Sequence, residues 1–177
     1  MGKPVPSSDA LGLWWPKPSE PHFLHVVGHP QGAMTMCDFP QLVTKGHVFQ
    51  AAPVILLYGK HWKKNKGFGV SHILEEHHNE IPLVKKLGRV VSTCPRHPTP
   101  AAVSAVAQFV ADICARYADI ACEYAGMRGD HRPLIIKSRK GTVVLEYRQC
   151  NETASPYYSV VTAMSSTKAK GTVIGAL

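Results

Sequence analysis

The residues best equipped for chemistry crowd into one stretch. "KGFGVSHILEEHHNEI" (66–81) holds three histidines, His72, His77 and His78, and three glutamates, Glu75, Glu76 and Glu80. The run before it, "GKHWKKNK" (59–66), sets Lys60, Lys63, Lys64 and Lys66 around Trp62. Histidine is the side chain whose charge changes near neutral pH, and it is also a common metal ligand, so the cluster admits proton transfer or metal binding. Zinc-binding helices place two histidines four residues apart, so that both imidazoles leave one face. Here His72 and His77 are five apart, about 140° around a regular helix, and do not share an ion. A His72/Glu76 pair supplies two ligands, but no other ligand-spaced cluster accompanies it, so no metal and no cofactor are expected. A plainer reading makes the stretch a short amphipathic helix. Ile73, Leu74 and His77 then face inward, and Glu75, Glu76 and His78 face solvent.

The acid–base reading rests on "KGFGVS". Two glycines around an aromatic predict a close backbone approach followed by a helix start, with Ser71 as N-cap. The N–H groups of a helix N-terminus suit a phosphate. The same end disfavours a protonated imidazole, which keeps His72 neutral and able to accept a proton. Trp62 among the lysines offers a face to a nucleobase.

The elements that must position these groups are legible in outline. Residues 1–21, "MGKPVPSSDALGLWWPKPSEP", carry five prolines and read as an extended arm or linker, leaving 22–177 as a single α+β domain. Trp14 and Trp15 either pin that arm to the domain or form a docking peptide for another protein. "HFLHVVGHP" (22–30) predicts a first short strand, and "QLVTKGHVFQ" (41–50) two short extended pieces around Gly46. "APVILLYG" (52–59) is a continuous apolar run that reads as a buried strand. After a proline-rich break at 93–100, residues 100–124 predict the longest helix. Thr99 is its N-cap, Pro100 its first turn, and Gly126 its stop. Its apolar stripe runs through Val103, Val106, Phe109, Val110, Ile113, Tyr117, Ile120 and Tyr124. Four β-rich runs follow, "PLIIKSR", "GTVVLEYRQC", "YYSVVTAM" and "GTVIGAL", and predict an antiparallel meander. The expected fold is an antiparallel sheet of four to five strands packed against a long helix and a short histidine-bearing helix.

The 177 residues carry a formal charge of +8, with 45% hydrophobic and 18% charged residues, which excludes a disordered chain by composition and favours polyanionic partners. Five cysteines, an odd count without a CxxC pair, argue against a disulfide framework and for a reducing compartment. No run of about 18 apolar residues exists and no signal-peptide pattern opens the chain, so no membrane partner is expected and a cytoplasmic site of action is.

"GFGVSHILEEHH" resembles the Gly-x-Gly-x-x-His-Ile motif of phage-type nuclease domains in the barnase–EndoU–colicin–RelE superfamily. "LIIKSRKGTVVLEYR" is similar to that family's basic hairpin, and "YYSVVTAM" with "KGTVIGAL" to its final strand pair. The likeness covers roughly 53–177. It implies metal-independent RNA cleavage, in which the ribose 2′-OH attacks the adjacent phosphate. Carried over, the resemblance makes His72 the base and His77 the next candidate. It assigns Lys137 and Arg139, two apart on one strand, to the phosphate, together with Thr162. Tyr158, four residues earlier on the Thr162 strand, falls on the same face and joins Lys60, Trp62, Lys63, Lys64 and Lys66 in substrate binding. The implied protein is a ribonuclease, a toxin or phage effector acting on RNA such as tRNA in a bacterial cytoplasm, with an immunity or target protein as a further partner. A second reading is a non-catalytic protein whose basic face holds nucleic acid or an acidic partner, as a defence inhibitor would. ADP-ribosyl transfer on a related fold lacks a supporting glutamate signature.

Overall fold

A computed structural model of the chain describes residues 22–87, 98–124, 134–150 and 153–177. The expectations for the arm at 1–21, its two tryptophans, most of the proline-rich break and the stop at Gly126 lie outside these residues.

A one-turn 3₁₀ segment, His22–Leu24, leads into β1 (Val26–Val27) and β2 (Cys37–Phe39). The hairpin β3 (Leu42–Thr44) to β4 (His47–Phe49) turns on Lys45 and Gly46, both at positive φ. Then come β5 (Ala52–Leu57), the hairpin β6 (Lys60–Lys63) to β7 (Lys66–Phe68), α1 (Gly69–His77), α2 (Pro82–Leu87) and α3 (Pro100–Ile113). The chain ends with β8 (Asp119–Cys122), β9 (Leu134–Ser138), β10 (Gly141–Gln149), β11 (Pro156–Met164) and β12 (Thr172–Ala176).

The fold is α+β as expected, but the sheet is larger, with eight strands in the order β1-β5-β11-β10-β9-β8-β12 and β2 also pairing β5. It is not wholly antiparallel, since β5 and β11 run parallel. β9, β10 and β11 form the expected meander. β12 leaves it and pairs β8 at the far edge. β5 is central because its run is apolar on both faces. Val54 and Leu56 enter the main core, while Ile55 and Leu57 join Phe68 and Tyr157 in a second cluster on the opposite face. Such two-sided burial is what a continuous apolar run encodes.

α3 begins as its sequence dictates, with Thr99 Oγ1 accepting the Ala102 N–H at 3.3 Å and Pro100 in the first turn. Val106, Phe109, Val110 and Ile113 are buried against the sheet. The helix then stops at Ile113 instead of continuing to 124. Tyr117 turns to φ 69° and is 74% exposed, and Ile120, Ala121 and Cys122 become a strand between β9 and β12. Two hydrogen-bonded neighbours and full burial of Ile120 outweigh the helical spacing of its apolar residues. That pairing depends on partners 16 and 55 residues away in the chain, so local pattern does not reveal it.

Candidate functional site: two imidazoles behind a basic hairpin

β5 ends at Leu57, and the chain turns through Gly59 into the β6–β7 ribbon before folding back as α1. Gly59 and Gly69 both sit at positive φ and pack against each other, and a Cβ on either would run into backbone of the other segment. This close approach is what the paired glycines foreshadowed. The helix start itself differs from expectation. It lies at Gly69, with Phe68 in the N-cap position and no side-chain cap. Ser71 is inside the helix, and its N–H is taken by the Tyr58 carbonyl at 2.9 Å. Gly69, Val70 and Ser71 are buried, so this N-terminus is closed by strand β5 and is no phosphate cradle.

His72 is buried, at 5% exposure, yet it is not sealed in hydrocarbon. Its Nδ1 lies 3.0 Å from Nδ1 of His61, with the two rings stacked at an interplanar angle of 15°. Two nitrogens at that separation cannot both carry a proton, so one imidazole accepts from the other. Burial, and then the neighbouring His61, push the His72 pKa down. His61 Nδ1 also lies 3.9 Å from Glu76 Oε1, and both side chains are 18% exposed. The Asn65 N–H donates to the same Glu76 oxygen at 2.9 Å, and this bond, ahead of the opposing effect of burial, holds the Glu76 carboxyl below its ordinary range. His61, His72 and Glu76 thus bring one ligand-type atom each within 4.8 Å of one another.

The ribbon explains this geometry. Lys60 pairs Phe68, His61 pairs Gly67 and Lys63 pairs Lys66, with a register shift between His61 and Lys63. Residues opposite one another share a face, so His61 and Gly67 face α1 while Lys60, Lys63, Lys66 and Phe68 face the other way. Gly67 is small because His72 is there: a Cβ would come within 2.8 Å of its Nδ1 and 2.5 Å of the Lys60 carbonyl. On the opposite face Trp62, 58% exposed, lies 6.0 Å from Phe68, and Phe23 meets Phe68 edge-on at 6.5 Å. Lys60 Nζ sits 5.6 Å from the Phe23 ring and 5.9 Å from Trp62, and the Arg148 guanidinium 4.8 Å from Phe68. The result is an aromatic platform set among cations.

The expected substrate-binding residues Lys60, Trp62, Lys63, Lys64 and Lys66 are therefore exposed on one ribbon beside His72. The others do not converge there. His77 Nδ1 bonds Glu80 at 2.8 Å, and Glu80 in turn accepts from Ser165 N and Oγ, tying the end of α1 to the end of β11. Lys137 Nζ donates to the Ala169 carbonyl at 2.7 Å, a structural bond. Arg139 is not on the Lys137 strand, since β9 ends at Ser138 and Arg139 lies in the exposed turn to β10. Lys137 and Arg139 line a separate cleft with Asp112, Arg116 and Asp119, and no residue of α1 or the hairpin lines it. Tyr158 is 1% exposed, its ring against Phe39 and its hydroxyl donating to the Gln50 carbonyl at 2.9 Å, and it borders a pocket with His47 and Tyr147 that no residue of the β6–β7 hairpin or α1 lines. Nor does Tyr158 share a face with Thr162. Thr162 pairs Val144 while Val160 pairs Leu145, so Val161 is an extra residue that flips the alternation. Thr162 is buried, and its hydroxyl has no partner among the described residues.

Sequence reasoning missed His61, Phe23, Phe68 and Arg148. Only His61 carried a signal: it sits between Lys60 and Trp62 in the basic run and, on a strand, must point away from both. The chain matches no family model, no curated protein and no solved structure.

Proposed function

We propose that the protein is a metal-independent endoribonuclease of the phage or toxin type, which holds single-stranded RNA on the β6–β7 hairpin and cleaves it with the His61–His72 pair. One observation carries the reading: two imidazoles 3.0 Å apart lie behind a ribbon whose other face exposes lysines and a tryptophan. Aromatic faces among cations suit stacked bases and phosphates whatever the sequence. His61, with 18% of its side chain exposed, is the catalytic residue that accepts the ribose 2′-OH proton. His72, behind it, is a positioning residue that fixes the tautomer of His61 through the Nδ1 contact and frees the far ring nitrogen for substrate. The 2′-oxygen then bonds to phosphorus, the bond to the 5′-oxygen breaks, and that oxygen takes a proton from solvent water, whose hydroxide recovers the proton held by His61. The products are a cyclic 2′,3′-phosphate and a free 5′-OH. General acid–base help of this kind contributes about 10²–10⁴-fold.

The test is purified protein with total RNA, in EDTA, from pH 5 to 8. Cleavage that leaves cyclic phosphates and falls by about 100-fold in His61→Ala supports the assignment. RNA that stays intact across the range overturns it in favour of a second reading, a nucleic-acid-binding protein without catalysis. The burial of His72 and the separation of His61 from the lysines by the thickness of the ribbon favour that second reading.

A further inference from the structure

We propose that His61, His72 and Glu76 form a binding site for one divalent transition-metal ion of the zinc type. The three residues come from two elements, the β6 strand and the α1 helix, and the chain supplies the right donor chemistry where they meet. Two imidazole nitrogens and one carboxylate oxygen are ligands for zinc, cobalt or nickel, whereas magnesium and calcium prefer all-oxygen shells. Zinc held by two histidines at about 2.0–2.1 Å in tetrahedral geometry separates their nitrogens by about 3.4 Å. The Nδ1 atoms of His61 and His72 are 3.0 Å apart, within a few tenths of an ångström of that separation. Glu76 Oε1, 3.9 Å from His61 Nδ1, completes the set within 4.8 Å.

Two further features belong to a built site. The Asn65 N–H bond orients the Glu76 carboxylate, as outer hydrogen bonds do for metal-ligating acids. His61 and Glu76 are partly exposed while His72 is buried, so an ion has an entry path and a fourth position open to water. The sequence spacing concealed the arrangement. His72 and Glu76 lie four apart on α1, but the third ligand comes from a strand eleven residues before His72. His77, five residues after His72 in the sequence, is bound to Glu80 and takes no part.

In the contact between the two imidazoles one nitrogen donates and the other accepts, and the ion occupies both lone pairs. Metal occupancy and proton transfer by His61 therefore exclude one another. This consequence, zinc as a reversible inhibitor of the RNA cleavage proposed above, rests on that reading, while the binding itself does not.

The experiment is a zinc chloride titration of chelator-stripped full-length protein, followed by calorimetry or by competition with a chromophoric chelator and without RNA. Cobalt(II) chloride is added in parallel and its visible spectrum recorded. One equivalent per chain and a four-coordinate cobalt spectrum are expected. His61→Ala and Glu76→Gln should each weaken binding by at least about 10-fold. Both residues are partly exposed, so these variants should keep the wild-type circular dichroism, which the buried His72 does not guarantee. Absence of saturable binding by the wild-type chain overturns the proposal. So does zinc affinity that neither variant changes, since the ion then sits elsewhere, for instance at the neighbouring Cys37 and Cys114 thiols. Cleavage measured with and without zinc is a separate arm. Its failure removes the ribonuclease reading and leaves the titration to decide the site.

Discussion

The Thr162 hydroxyl sits in the sheet interior with nothing to bond among the described residues, and so does that of Ser159, while the adjacent Tyr158 donates its hydroxyl to the Gln50 carbonyl. A buried polar group without a partner costs about 1–3 kcal/mol of desolvation. Thr162→Val replaces that hydroxyl with a methyl of similar shape. It should leave RNA binding unchanged and raise stability by about 1 kcal/mol, measured as a shift of the urea midpoint at constant slope. A residue that touched phosphate would lose binding instead. Glu80 makes the opposite case. Burial raises its carboxyl pKa, but the bonds from His77 and Ser165 outweigh this and hold it below the ordinary value of 4.5. A carboxylate whose pKa is depressed by folding stabilises the native state fully above its unfolded value, and that contribution disappears as pH falls through the folded value. The wild type should therefore exceed Glu80→Gln in melting temperature at pH 6, and the gap should close as the pH is taken below about 4.5 toward 3.

At the scale of elements, the site is made by a two-stranded ribbon laid against a nine-residue helix. α1 has no N-cap side chain, and a helix of its length is marginal alone, so it depends on packing. Val70, Ile73 and Leu74 place it in the main core, and the Tyr58 carbonyl fixes its first turn. The ribbon reaches it only because Gly67 has no side chain. Gly67→Ala puts a methyl 2.5 Å from the Lys60 carbonyl and 2.8 Å from His72 Nδ1, so the ribbon must lift from the helix. The expected outcome is loss of the His61–His72 contact, read from the imidazole resonances in NMR, with global stability lowered by about 1–3 kcal/mol. "KGFGVSHIL" announced the close approach and the helix through its glycines and apolar spacing. It could not announce that Ser71 would give its N–H to the Tyr58 carbonyl just past β5, because capping by another segment leaves no mark in the segment capped.

Across the whole molecule, helices α1, α2 and α3 cover one face of the sheet, and the second apolar cluster and the basic ribbon lie toward the other. No helix among the described residues is long and apolar enough to cross a membrane. Among the basic residues, Lys60, Lys63, Lys64 and Lys66 lie on the hairpin, while Arg116, Lys137, Arg139 and Lys140 line the separate cleft beside Asp112 and Asp119. If the hairpin is the RNA-binding face, replacing Lys60, Lys63, Lys64 and Lys66 with Gln should flatten the dependence of log affinity on log salt. The change should be about 0.7 for each lysine that contacts a phosphate, as for other single strands. Lys137→Gln should leave that slope untouched, because its ammonium is committed to the Ala169 carbonyl.

What the sequence by itself determined is what depends on near neighbours. The buried strand β5, the Thr99 cap of α3, the β9–β10–β11 meander and the basic run around Trp62 all follow from alternation, capping chemistry and turn residues within a few positions. Tertiary structure alone decided what depends on distant partners. It drew Ile120 out of a helical pattern into a strand, sent β12 to the far edge of the sheet, and flipped Thr162 by one bulged residue. It also set His72 apart from Lys137 and brought it against His61 and Glu76. Side-chain direction on a strand reverses with every residue, so one unforeseen bulge or pairing is enough to separate groups that the linear pattern brings together.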